Sequence, residues 1–128
     1  MDRDRQVFLP DGLVLRESPI EGLGVFATKD FPANYYFGPF TGVEMTSKEF
    51  HSTYGKDYTY TYRLRRINRL IVAKENRNFI TFINDGVYGQ ATPSVNVQCK
   101  NRGCYSVLPI SAGEELLLSY GAVYWKSP

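Results

Sequence analysis

The chain has 128 residues, 15 Lys and Arg against 13 Asp and Glu, and 43% hydrophobic residues. That is one domain's worth of protein, long enough to bury a core and too short for a typical two-domain enzyme, and its 22% charged residues exclude a disordered or fibrous chain. Aliphatic runs such as Leu116-Leu117-Leu118 fall far short of the roughly 20 residues of a spanning helix, so no membrane span is expected.

Met1-Asp2-Arg3-Asp4-Arg5 mixes both charges and leads into no apolar run, so it is not a secretory signal and an intracellular location is expected. Ten Tyr, eight Phe and one Trp, with Gly and Pro scattered between them, favour short strands over long helices. Val7-Phe8-Leu9 and Leu13-Val14-Leu15 are short apolar runs parted by the turn signal Pro10-Asp11-Gly12. Gly22 to Ala27 runs from a glycine turn into a strand, and Tyr35 to Phe40 reads as a strand ending at the Gly38-Pro39 bend. Thr46-Ser47-Lys48-Glu49 is a capping-box pattern that opens a short helix ending by Gly55.

Asp57 to Leu64 alternates Tyr58, Tyr60 and Tyr62 with Thr59, Thr61 and Arg63, which as a strand places three phenols on one face. Ile67 to Ala73 can pair back onto it. Asn76 to Asn84 fits either a helical turn or a strand, and Asp85 to Thr92 reads as loop. Val95 to Gln98 and Tyr105 to Ile110 are strands flanking a turn at Asn101-Arg102-Gly103. Leu116 to Tyr120 follows a turn at Ser111-Ala112-Gly113. No repeat or linker divides the chain, so residues 1–128 are expected to form a single β-rich domain.

Two cysteines cannot build a structural zinc site by themselves, and the only histidine, His51, lies far from them, so no metal site is expected. Cys99 and Cys104 are expected as reduced thiols, yet the turn between them lets the pair face each other across a hairpin, where an oxidised form is open to them. Residues 1–64 carry net charge −2 and residues 65–128 net +4, largely through Arg65, Arg66 and Arg69. Those arginines and Arg63, beside Tyr58, Tyr60 and Tyr62, suit a nucleic-acid-binding sheet as one reading and a solvated strand end as the other. No Rossmann fingerprint, Walker loop, nucleophile elbow or zinc-protease motif is present.

What the chain does hold is a set of motifs in a particular order. These are Gly22-Leu23-Gly24-Val25-Phe26-Ala27, Tyr60-Thr61-Tyr62, Thr81-Phe82-Ile83-Asn84-Asp85-Gly86, Pro93-Ser94-Val95-Asn96-Val97, and Gly113-Glu114-Glu115-Leu116-Leu117-Leu118-Ser119-Tyr120-Gly121. The set, spanning about residues 12–125, resembles the SET domain, the fold of protein lysine methyltransferases that use S-adenosylmethionine. Leu9-Pro10 with Gly12-Leu13, and Phe37-Gly38-Pro39-Phe40, are similar to its PR-domain branch, and Tyr124-Trp125 to compact viral members. The resemblance implies a mostly β fold of several small sheets with short helices and a pseudoknot-like threading of the C-terminal segment.

It also implies site residues. Gly22, Leu23, Gly24, Asn84, Asp85, Tyr120 and Trp125 would contact S-adenosylmethionine. Tyr120 and Tyr60 would be catalytic, with Tyr58, Tyr62, Leu118 and Tyr124 lining the lysine channel. Asp85 stands where the family has His, several extra residues precede Pro93, and the zinc-binding cysteine-rich flanks of many relatives are missing, which fits a zinc-free domain. Read from the residues alone, Tyr120 and Tyr60 fit packing aromatics, Asn84 an Asx-type turn, and Gly22 and Gly24 a tight turn.

The implied partner is a protein substrate, a histone tail first, with a nuclear location if so, no direct nucleic-acid binding, and a homodimer left open. A basic tail would prefer an acidic groove, for which Glu114, Glu115 and Asp85 are the candidates. Two alternatives stand beside the enzyme: a SET or PR-like interaction module without turnover, and a nucleic-acid-binding β-domain.

Overall fold

The turn at Pro10-Asp11-Gly12 sets where the first strand begins. In the computed structural model, which describes residues 7–119, the Leu13 N–H donates to the Pro10 carbonyl at 3.2 Å and β1 (Leu13–Glu17) follows. It pairs antiparallel with β2 (Leu23–Ala27). Further on come β3 (Tyr36–Pro39), β4 (Val43–Thr46) and the single α-helix of the described residues, α1 (Ser47–Tyr54). The expected capping box closes that helix: the Glu49 N–H donates to Thr46 Oγ1 at 3.1 Å, and the Thr46 N–H to Glu49 Oε1 at 2.8 Å. Among the described residues no helix is long and apolar enough to cross a membrane.

β5 (Thr61–Leu64) and β6 (Arg69–Val72) are joined by a 3-10 turn and form a three-stranded antiparallel sheet with β4, in the order β4-β6-β5. β7 (Asn84–Asp85), β8 (Val97–Lys100), β9 (Gly103–Ser106) and β10 (Leu117–Leu118) complete the elements of the described residues. β8 and β9 are a hairpin added to β3, while β7 and β10 pair in parallel. The small sheets enclose one main core, in which Val25, Ile80, Ile83, Val97, Ile110, Leu116 and Leu118 are buried. A second cluster sits between α1 and the β4-β6-β5 sheet, where Phe50 packs on Leu70 and Val72.

Three expectations change. The strand expected over Asp57 to Leu64 begins only at Thr61, because Asp57 organises a turn ahead of it. Asp57 Oδ1 accepts from the Thr59 N–H and hydroxyl at 3.2 and 2.7 Å, and Lys74 Nζ meets Asp57 Oδ2 at 3.2 Å. Tyr60 takes a φ of +55°, so the alternation that would align three phenols is broken before the strand starts. The ambiguous segment 76–84 resolves into a 3-10 turn, Phe79–Phe82, capped by Asn78, whose Oδ1 accepts from the Thr81 N–H at 3.2 Å, followed by the two residues of β7. The hairpin expected from Val95–Gln98 and Tyr105–Ile110 pairs closer to its turn, as Val97–Lys100 with Gly103–Ser106.

Candidate functional site

β2 begins in the glycine turn. The Ser18 N–H donates to the Gly22 carbonyl at 2.7 Å, and Gly22 holds a φ of +47° with open space where a side chain would stand. Gly24 is glycine for another reason. A Cβ there would collide with the Glu115 carboxylate and lie 3.1 Å from Asn84 Nδ2. The backbone of residues 22–24 is therefore bare on the open side and tightly packed on the inner one.

Asn84 supplies that packing. At 1% exposure, its Nδ2 donates to the Glu21 carbonyl at 3.1 Å and to Glu115 Oε2 at 2.9 Å. The other oxygen of Glu115 accepts from the Ser18 hydroxyl at 2.9 Å. A partly buried carboxylate is costly unless its oxygens find donors. Here donors from residues 18 and 84 meet it, so one side chain joins the glycine turn, the Asn84 motif and the Gly113–Gly121 motif. Main-chain bonds hold the junction in place: Ala27 N–H to Glu114 C=O at 2.9 Å and Leu116 N–H to Val25 C=O at 2.8 Å.

Beyond Glu115 the chain passes between two arms of the loop that spans residues 84–96. On one side the Gly86 N–H donates to the Leu118 carbonyl at 2.8 Å. On the other the Asn96 N–H donates to Leu117 C=O at 3.0 Å, its Nδ2 to Glu115 C=O at 2.9 Å, and its Oδ1 accepts from Leu117 N–H at 2.8 Å. The Ser94 N–H, 2.8 Å from the Gly86 carbonyl, closes the neck of the loop. This is the threaded arrangement that the resemblance implied, and it leaves Leu118 buried against the main core. Asn96 and Ser18 were absent from the expected site residues, and Glu115 was expected only as a carboxylate of an acidic groove. A polar Asn between Val95 and Val97 was the signal available for the first, whereas nothing local marks Ser18 as a partner of residue 115.

The other expected residues are placed as follows. Asp85 turns its carboxylate onto its own loop, where Oδ1 accepts from the N–H groups of Val87 and Tyr88 at 2.7 and 3.1 Å. Tyr88, 71% exposed, stands out from that turn. Glu114 Oε1 accepts from the Ser111 N–H at 2.7 Å. The three carboxylates proposed for an acidic groove are thus each engaged on protein donors.

The phenols separate into three environments. Tyr62 is buried beside Phe40, with ring centroids 5.6 Å apart, and burial pushes its phenol pKa up. Tyr60 lies half-buried on the main core under the Arg77 guanidinium, which is 4.1 Å from its ring centroid. Tyr58 belongs to the second cluster, stacked on Phe50 at 5.0 Å and hydrogen-bonded through its hydroxyl to His51 Nε2 at 2.7 Å. The expectation of one shared face is overturned, since Tyr60 is not in a strand. Tyr120, Tyr124 and Trp125 lie outside the described residues. Among the described residues no three of His, Cys, Asp and Glu come together in a way that could hold a metal ion.

Comparison with known proteins places this geometry. The model of the SET domain matches residues 22–121. The methyltransferase domain of human PR domain-containing protein 2 superposes with a TM-score of 0.61 at 26% identity, covering 86% of this chain and 77% of that one. A humanized mutant of the Chaetomium thermophilum Polycomb Repressive Complex 2 bound to the inhibitor GSK343 gives a TM-score of 0.71 at 24% identity. The same fungal complex bound to GSK126 gives 0.69 at 23%. Both of these likenesses cover 90% of this chain and 16% of the longer one, and they concern the fold. No curated protein sequence matches the chain.

Proposed function

The chain belongs to the SET-domain family, and on that premise we propose that it transfers a methyl group from S-adenosylmethionine to a lysine side chain of a protein, with histone tails as the first substrate class. The observation that carries the reading is the junction at Glu115. It sets the bare backbone of Gly22–Gly24, the Asn84 strand and the threaded segment leading to Tyr120 against one another.

The residues present fit such a cofactor. Gly22 leaves open space beside its backbone, so main-chain donors and acceptors of residues 22–24 can approach the amino-acid end of a ligand closely. When bound, S-adenosylmethionine would supply an electrophilic methyl on a sulfonium, open to in-line attack by a neutral amine with the neutral thioether, S-adenosylhomocysteine, as leaving group. The chain's task is to hold the lysine amine neutral, dry and aligned. A buried aromatic channel disfavours a positive charge on the incoming amine and so lowers its pKa. Tyr60, Tyr62, Leu118 and Tyr124 are the proposed walls, while Tyr58 serves instead as the stacking partner of α1. Aromatic faces also attract the methylated cation that forms. Tyr120 and Tyr60 are the proposed catalytic pair, and Gly22, Leu23, Gly24, Asn84, Asp85 and Trp125 the cofactor contacts. A nuclear location follows if the substrate is a histone.

One observation favours a second reading, a SET or PR-like module that binds a partner without turnover: the Asp85 carboxylate, at the family's His position, is occupied in capping its own turn. The third, a nucleic-acid-binding sheet, depended on Tyr58, Tyr60 and Tyr62 sharing a face and loses that support. Calorimetric titration with S-adenosylmethionine, followed by labelled-methyl transfer to mixed core histones, tests the proposal. Binding with transfer supports the enzyme. Absence of binding overturns it in favour of the interaction module, with Asp85→His as the variant to examine for recovery.

A further inference from the structure

The β8–β9 hairpin closes through Asn101 and Arg102, both left-handed with φ of +50° and +67°, the type I′ turn that suits strand twist. Lys100 and Gly103 then form the hydrogen-bonded pair beside the turn, and Cys99 and Cys104, opposite one another in register, occupy the next, non-hydrogen-bonded position. At such a position Cα atoms stand about 4.5 Å apart and side chains lean together, at the short end of what a disulfide spans. Cys104 has no exposed surface, whereas Cys99 is half-buried. The hydrogen bond with Cys99, helped by burial, holds the Cys104 proton well above the ordinary thiol value. The Phe40 N–H, 2.6 Å from the Arg102 carbonyl, pins the hairpin tip to β3, so the two sulfurs are kept in register by the fold itself.

We propose that Cys99 and Cys104 are a reversible redox modification site, closed to an intramolecular disulfide by exchange with a small disulfide such as glutathione disulfide. The Cys99 thiolate, the one that solvent species can reach, attacks a sulfur of glutathione disulfide. A Cys99–glutathione bond forms and one glutathione leaves as thiolate. Cys104 gives its proton to a departing glutathione thiolate and attacks Cys99 Sγ, expelling the second glutathione. Two protein thiols are oxidised and one glutathione disulfide is reduced to two glutathiones. A bond closed at the short end of the disulfide range, with Cys99 partly open to solvent, is expected to be readily reduced, which is the property of a switchable bond rather than a structural one. The loop from Cys99 to Cys104 is short, so closing it restricts the unfolded chain less than a longer loop would.

The test is intact-mass and peptide analysis of the reduced protein after incubation with excess glutathione disulfide and alkylation of the remaining thiols. The expected product is a monomer lighter by two hydrogens that takes up no alkylating agent. Trypsin cuts after Lys100 and Arg102, and the two cysteine peptides should stay joined until reductant is added. Cys104→Ser should retain one glutathione on Cys99, and Cys99→Ser should take up none. Two thiols still open to alkylation, a lasting glutathione adduct on the unaltered chain, or disulfide-linked dimers would each overturn the proposal. If Cys104→Ser does not fold, the peptide map of the unaltered chain decides alone.

Discussion

Asn96→Ala is expected to unlatch the threaded segment. Asn96 is 7% exposed, and truncation removes its Nδ2 donor to Glu115 C=O and its Oδ1 acceptor for Leu117 N–H. Its own main-chain bond to Leu117 C=O is retained. Each buried backbone group left without a partner costs about 1–3 kcal/mol, so the two together, after partial relaxation, should lower stability by about 3 kcal/mol. For a domain with a total stability of about 5–15 kcal/mol this is a large fraction. With a urea slope of about 1.5 kcal/mol/M, the unfolding midpoint should fall by about 2 M without a change in slope. Hydrogen exchange at the Leu117 amide should accelerate in parallel, because that N–H loses its acceptor. Asn96→Asp keeps the acceptor but sets a carboxylate oxygen against the Glu115 carbonyl. That repulsion should favour the protonated carboxyl, so relative to the parent the variant should be least destabilised below about pH 4 and most at neutral pH. A midpoint shift under about 0.5 M for Asn96→Ala, or unchanged exchange at Leu117, would refute the latch.

Gly86→Ala should be more damaging than a surface glycine change, because its Cβ would run into the Ser94 carbonyl and approach Leu117 Cβ to 3.0 Å. Backbone must move, and a loss of several degrees in Tm, with the Gly22→Ala change measured beside it, checks the point. Thr46→Ala removes the helix cap and should cost about 1 kcal/mol in urea unfolding. Hydrogen bonds from Thr46 hold the Glu49 carboxyl below its ordinary value of 4.5. That contribution is complete above the ordinary value and is lost as pH falls through the lowered one; its larger cause, the Thr46 N–H bond to Glu49 Oε1, survives in the variant, so only part of the pH dependence in this acid range should disappear. Tyr120→Phe should reduce methyl transfer at least tenfold with an unchanged thermal transition, and undiminished transfer would remove Tyr120 from its proposed catalytic role.

Several elements were legible because their causes are local. The capping box needs only Thr46 and Glu49, three residues apart, and the hairpin turn is marked by Asn101, which tolerates the left-handed backbone it adopts, and by Gly103 two residues on. Alternation failed at Tyr58, Tyr60 and Tyr62 for a reason that is partly remote. Asp57 turns the chain with Thr59, and Lys74 from the far side of the β5–β6 hairpin binds both residues. The period of two was present in the sequence, but the backbone that would display it was not extended. Asp85 was recognisable as a departure from the family pattern, and the structure adds what the change does, namely cap the turn that presents Tyr88.

The order of motifs was enough to identify the family and to expect small sheets with a threaded end, since glycine turns, caps and strand periodicity act over a few residues and survive as patterns in the chain. Which side chains meet was decided by tertiary structure alone. Glu115 lies 97 positions from Ser18 and 31 from Asn84, and no local preference pairs them. A carboxylate partly withdrawn from water is costly unless the fold brings donors to it. In this chain the donors come from the glycine turn and β7, and the need to satisfy that one charge helps hold the parts of the candidate site together.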